Sequence, residues 1–292
     1  MTASVDKMNS FHKGDTSENL FDMDYSAWNV RCTVIAAGFL FYFVIFILSH
    51  WLCLVLSVTY CSLPAKEKVF WNLAVTRGVF GIQGMAAGLW ALLKDSELHA
   101  DKILAQQNWS WFNILTALGF FMLENAALHG FNVVFKTFDV ALAIHHFFAI
   151  SGFATNLIWD NAGHYLPMMV LLLEMSTPFT CISWILLKAG FSHVLPWKLN
   201  QWFMIHLFHC RMILTYHIWW VCWQHFDRIR LHVPVPQAMV FFSGLFLLTF
   251  IINPHWTRKK TIQLFSPVDW NFAKEASGRE NGETSKTLKK TT

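Results

Sequence analysis

Seven apolar runs, each near the roughly 20 residues a helix needs to cross a bilayer, take up most of this 292-residue chain. They cover 32–59, 70–93, 111–135, 140–159, 166–187, 199–223 and 237–252. Hydrocarbon offers no partner to a backbone amide or carbonyl, so runs of this length predict helices that satisfy their own backbone. The sixth run is the most interrupted, since it carries His206, His209, Arg211 and His217. Composition agrees: 55% of residues are hydrophobic and 14% charged, against roughly 25% charged in soluble domains. The expected fold class is therefore an all-α polytopic membrane protein with about seven transmembrane helices.

A net charge of +4 would suggest a nucleic-acid partner in a soluble protein. Here much of the basic charge lies in short loops and the tail, so it reads as topology, with no nucleic acid expected. Six cysteines show no CxxC pairing and fall mostly in or beside apolar runs, as buried thiols that act as small hydrophobes do. Residues 1–30 are polar and acidic through Asp15, Glu18, Asp22 and Asp24, without the basic start of a cleaved signal peptide. The first run, within 31–60, is accordingly expected to remain as an anchor. The sequon at Asn108-Trp109-Ser110 abuts the third run and is expected to stay unmodified.

Lys66, Lys68, Lys136, Lys188, Lys198, Arg258, Lys259 and Lys260 follow the odd-numbered runs. The positive-inside rule then puts the C-terminus in the cytosol and the N-terminus in the lumen, with Arg228 and Arg230 as the countervailing charges. The chain ends Lys289-Lys290-Thr291-Thr292. That ending resembles the dilysine retrieval signal of endoplasmic reticulum membrane proteins, an address read by the COPI coat; a plain solvated tail is the alternative.

Ionisable groups at membrane depth are expensive and tend to mark sites. His145 and His146 are adjacent inside an apolar stretch, and Asp139 lies seven positions before His146, on the same helical face. A carboxylate beside an imidazole sets its tautomer and raises its basicity. The third run adds Glu124, Asn125 and His129, the fifth Glu174, and the sixth His206, His209 and Arg211. Interhelical hydrogen bonds explain one or two such groups; four runs contributing them predicts a shared cavity. One HH and one HxxH are too few for a di-iron centre, and no zinc arrangement is declared, so no metal is expected.

The histidine pair, followed by Asn156, Gly163 and LLLEMSTPF at 171–179, resembles the TLC domain of the TRAM, Lag1 and ceroid-lipofuscinosis membrane proteins. The stretches at 67–81, 199–212 and 266–273 extend the resemblance over nearly the whole chain. It implies a helical barrel around a lipid-sized cavity, with a TLC domain at 61–262 and a cytosolic tail at 263–292 bearing the dilysine. In the ceramide synthase branch a histidine of the pair carries an acyl group from acyl-CoA to an amine, and His145 and His146 match that pair. Glu174 falls at the first aspartate of that branch's HDxSD motif, Ser176 at the serine, and Thr177 replaces the second aspartate. This departure argues against a sphingoid-base acceptor.

The resemblance implies an endoplasmic reticulum acyltransferase serving a glycerophosphoglycerol-type acceptor, and so bis(monoacylglycero)phosphate supply and lysosome function. His145, His146 and Glu174 would be catalytic. Substrate would be bound by Glu124, Asn125, His129, Asp139, His206, His209 and Arg211, whose guanidinium suits a phosphodiester. No cofactor is expected, only acyl-CoA or another acyl donor as substrate. Two alternatives are a receptor carrying newly made lysosomal enzymes from the endoplasmic reticulum to the Golgi, by way of the intermediate compartment, and a lipid sensor. The family's lipofuscinosis branch ties either role to neuronal storage disease.

Overall fold

A computed structural model of the chain describes residues 23–135, 140–269 and 272, and among these it contains helices and loops but no strand. Asp139, Lys136, Lys289 and Lys290 lie outside the described residues. The first long helix, α1 (Trp28–Leu56), is followed by a short α2 (Val58–Ser62), then α3 (Ala65–Leu93), a short α4 (Ser96–Ala100), α5 (Asn108–Phe135) and α6 (Val140–Trp159). Next come α7 (Tyr165–Leu172), a 3-10 turn (Leu173–Ser176) and α8 (Thr177–Lys188), which together make one broken rod. The long α9 (Leu195–Gln224), a short α10 (Phe226–His232), α11 (Val235–Leu247), a π turn (Leu248–Ile252) and α12 (Asn253–Phe265) complete it.

Among the described residues five stretches are long and apolar enough to cross a membrane: Trp28–Leu56, Asn108–Phe135, Leu142–Trp159, Tyr165–Lys188 and Val235–Phe265. The all-α polytopic class stands; five of the seven expected spans meet the criterion of length and apolarity, and the count of seven is not confirmed. The other two long helices, α3 and α9, carry Lys66, Glu67, Lys68 and Arg77, and Lys198, His206, His209 and Arg211, which lower their mean hydropathy.

Small residues decide which helices touch. Gly38 on α1 packs on the backbone of Thr116, and Gly119 on α5 packs on the backbone of α1 at Ile35 and Phe39. Gly88 on α3 meets Leu172 and the Met168 carbonyl of α7 in the same way. Without a water-driven hydrophobic force between helices in lipid, such close approach is what gains dispersion contact. A stack of Phe80 on Phe120, with centroids 3.8 Å apart, fills the centre of this group. Beside it Gln83 donates to Asn113 Oδ1 at 3.0 Å and to Thr116 Oγ1 at 2.8 Å.

The helix ends form two faces. At the N-terminal face Arg31 pairs with Asp160, Gln106 donates to Asp160 Oδ1 at 3.0 Å, and Arg228 pairs with Asp101 at 2.7 Å. At the opposite face Lys188 bridges Glu67 at 2.8 Å and Asp269 at 2.7 Å, while Phe272 packs among Phe70, Trp71 and Trp184. Both faces tie sequence-distant loops together, so the rods are held at each end.

Candidate functional site

Pro178 shapes the middle of the broken rod. Proline has no amide hydrogen to bond the carbonyl four residues back, at Glu174; the Thr177 amide bonds that carbonyl instead, in the 3-10 turn. The turn carries Glu174 to the border of a cleft bounded by α6, the broken rod, α9 and α11. The π turn stands opposite, and its Leu248 and Ile252 also line the cleft. Such one-turn π segments recur at functional sites. The space free of protein atoms, counted with its open mouth, is about 1310 Å³.

His145, Glu174 and Arg211 border this cleft from three separate rods. The His145 ring lies 5.9 Å from that of Trp256, centroid to centroid. Glu174 accepts a hydrogen bond from Thr177 Oγ1 at 2.5 Å. Arg211, 2% exposed, donates through Nη1 to Ser176 Oγ at 2.7 Å. Its Nε is buried without a hydrogen-bond partner, and its guanidinium lies 5.1 Å from the Phe208 ring, a cation–π distance. A buried guanidinium with an unused donor suits an anionic oxygen.

His146 belongs to a different neighbourhood. Its Nε2 is 4.0 Å from Glu124 Oε2, and that oxygen takes two hydrogen bonds from Arg77, at 3.0 Å and 2.7 Å. Phe121 stands between the two neighbourhoods, bordering the cleft with its ring 6.1 Å from that of His146. Adjacent positions on a helix diverge by about 100°, which sends His145 to the cleft and His146 to the packed core.

The remaining expected substrate groups lie elsewhere. Asn125 donates to its own helix at Phe121 O, 2.9 Å away, and His129 is exposed near the end of α5. His206 and His209 are exposed on the outside of α9, each bonded at 2.9 Å to the carbonyl four residues before it. His209 borders a shallow groove against α12, away from the cleft. Arg77 was not among the expected site residues, although a lone arginine inside an apolar run already asks for a buried acid. Asn156 and Gln237 also border the cleft, and only Asn156 stood out in the sequence. Among the described residues no three His, Cys, Asp or Glu side chains gather as a metal site would need.

A family model described as the TLC domain matches residues 38–259. The chain belongs to the TLC-domain family. It is 59% identical over 276 residues to Protein CLN8 of Homo sapiens, across 94% of this chain and 96% of the human protein. Protein CLN8 of Canis lupus familiaris is 60% identical over 269 residues, covering 92% of this chain and 93% of its own length. A more distant relative, TLC domain-containing protein 2 of Homo sapiens, is 25% identical over 195 residues, 64% of this chain and 70% of that protein. No solved structure matches the chain. The TLC match spans α3 to α11 whole and so contains every residue bordering the cleft.

Proposed function

We propose that this TLC-family membrane protein is a histidine-dependent acyltransferase whose acceptor carries a phosphodiester and a hydroxyl, as glycerophosphoglycerol does. The observation that carries the reading is the meeting of His145, Glu174 and Arg211 at one apolar cleft. The neutral His145 imidazole attacks the thioester carbonyl of an acyl-CoA; the C–S bond breaks and coenzyme A leaves as the thiolate. An acceptor hydroxyl then attacks the acyl-imidazole, Glu174 takes its proton, the C–N bond breaks, and that proton ends on the coenzyme A sulfur. Arg211 holds the acceptor phosphodiester through its unused Nε, and the apolar walls keep water from the acyl-imidazole. His146, fixed beside Glu124, positions α6.

Intact-mass analysis of the purified protein after incubation with palmitoyl-CoA tests this. One added acyl mass is expected on the unaltered protein and none on His145→Ala, and Glu174→Gln lowers acylation of glycerophosphoglycerol while the protein stays folded. No acyl adduct, together with unchanged acylation in cells carrying His145→Ala, overturns the reading. A receptor for lysosomal enzymes would instead export its cargo normally with that variant.

The same reading puts the protein in the endoplasmic reticulum membrane, cycling to the intermediate compartment, with its C-terminus in the cytosol and Lys289 and Lys290 bound by the COPI coat. Replacing both lysines by alanine then lets it move on to the Golgi. A C-terminal tag protected from protease in sealed microsomes contradicts this orientation.

A further inference from the structure

The far end of the cleft holds a second polar group that acyl transfer does not use. Asn156 lies in the last turn of α6 and Gln237 in the first turn of α11, both at the N-terminal face. They are 3% and 5% exposed, and both border the cleft. Gln237 Nε2 donates to Asn156 Oδ1 at 3.4 Å. That bond leaves Asn156 Nδ2 and Gln237 Oε1 buried with no hydrogen-bond partner. Turning both amides over exchanges the roles and still leaves one donor and one acceptor. Unmet buried polar atoms are costly, so a pair of them facing a cavity marks a place for a ligand that both donates and accepts.

The surroundings say which ligand. Ile103, Ala162, Gly163, Ile229 and Val233 border this end of the cleft, and none is charged. Between this end and His145 the walls are apolar, formed by Phe148, Phe153, Val170, Phe241 and Leu245. At Gly152, on the same border, a Cβ would meet nothing within 4 Å, so the channel is open alongside α6. From position 145 to position 156 the helix rises about 16 Å at 1.5 Å per residue. Half of a hydrocarbon core of roughly 30 Å is about the same length, that of one leaflet and hence of one lipid chain.

We infer that Asn156 and Gln237 form a headgroup subsite for the hydroxyl of an uncharged single-chain lipid, of the monoacylglycerol class, whose chain fills the cleft toward His145. One hydroxyl oxygen accepts from Asn156 Nδ2 while its O–H donates to Gln237 Oε1, meeting both unmet atoms with one group. The inference goes beyond the acyl-transfer reading and makes no use of the imidazole. It has one consequence for that reading: a lipid seated here and a long acyl chain on His145 exclude each other.

The test is photo-crosslinking of the full-length protein in phosphatidylcholine nanodiscs by a diazirine-bearing monoacylglycerol, with unlabelled competitors. Monoolein is expected to compete at about tenfold lower concentration than methyl oleate, which lacks the hydroxyls, as the loss of two hydrogen bonds predicts. The Asn156→Leu/Gln237→Met double variant, which removes both polar partners together, closes that gap, and His145→Ala keeps it. Equal competition by methyl oleate on the unaltered protein overturns the subsite without any mutation. Competition by N-methyl oleamide as strong as by monoolein overturns the choice of a hydroxyl. A gap that survives the double variant means the amide pair serves only packing.

Discussion

Glycine does opposite work in the two halves of this molecule. At Gly38, Gly88 and Gly119, in the half built from α1, α3, α5 and α7, it lets helices close: a Cβ at Gly119 would come within 2.6 Å of the Phe39 amide nitrogen, and one at Gly88 within 2.8 Å of the Leu172 Cα. In the half built from α6, α9 and α11 it leaves room, since a Cβ at Gly152 meets nothing within 4 Å and one at Gly244 only touches the Phe148 ring at 3.5 Å. The histidine pair straddles the border. His146 faces the closed half and its Arg77–Glu124 pair, while His145 faces the open half and its cleft. A closed scaffold beside an open slot is how a membrane protein can hold reactive groups at depth without filling the space a substrate needs.

The sharpest way to break this contrast is to disturb the charge pair of the closed half. Arg77→Met leaves Glu124, which is 1% exposed, as a buried unpaired charge. Losing one partner of a buried pair costs about 3–5 kcal/mol, whereas replacing both by apolar groups is often close to neutral. Thermal unfolding in detergent should therefore show a large loss for Arg77→Met and recovery in Arg77→Met/Glu124→Met. His145→Ala, in the open half, should unfold close to the unaltered protein. A single Arg77 variant as stable as His145→Ala would erase the distinction.

A smaller effect compares the glycines directly. Gly119→Ala forces α1 and α5 apart and should cost about 1–3 kcal/mol, the range for overpacking. Gly152→Ala projects its methyl into open space and removes the helix penalty of glycine, a gain of about 0.5–1 kcal/mol. Melting curves that shift in the same direction for both would mean that the cleft is not open at Gly152.

Much of this was legible in the sequence, because spacing reports which residues share a face. It does not report which face turns inward. His206, His209 and His217 share a stripe on α9, but packing against α8 and α12 buries the face with Gln201, Met204, Phe208 and Arg211 instead. The polar groups of that helix were therefore visible, while only Arg211 among the expected ones reached the cleft. Glu124 stood out and its partner Arg77 did not, since the two lie 47 positions apart and single-run periodicity carries no information between runs. The 166–187 run read as one span because its average stays apolar despite Glu174, Ser176 and Thr177; the break at Glu174 needs the missing amide of Pro178, a local rule that hydropathy does not register. The Asn156–Gln237 contact joins residues 81 positions apart and has no sequence signature.

The smallest expected effect concerns the seam between the halves at the N-terminal face. Asp101, in the loop before α5, pairs with Arg228 of α10 at 2.7 Å and accepts the amides of Ile103 at 3.1 Å and Leu104 at 3.0 Å. The Arg228 hydrogen bond, then the two amides, hold its carboxyl below the usual carboxylate range. A carboxyl depressed in the folded state stabilises above its unfolded pKa, about 3.9, and that stabilisation is lost as pH falls through the lower folded value. Both side chains are well exposed, 42% for Arg228 and 33% for Asp101, so solvent screening keeps the pair under about 1 kcal/mol. Asp101→Asn retains an oxygen for the loop amides and removes the charge. At pH 7 it should melt about 1–3 °C below the unaltered protein, by a margin that holds down to about pH 5, closes below about pH 4, and narrows in high salt. A margin that widens on acidification would show that Arg228 is held by something other than the Asp101 carboxylate, and that the loop and α10 meet at the cleft end through packing alone.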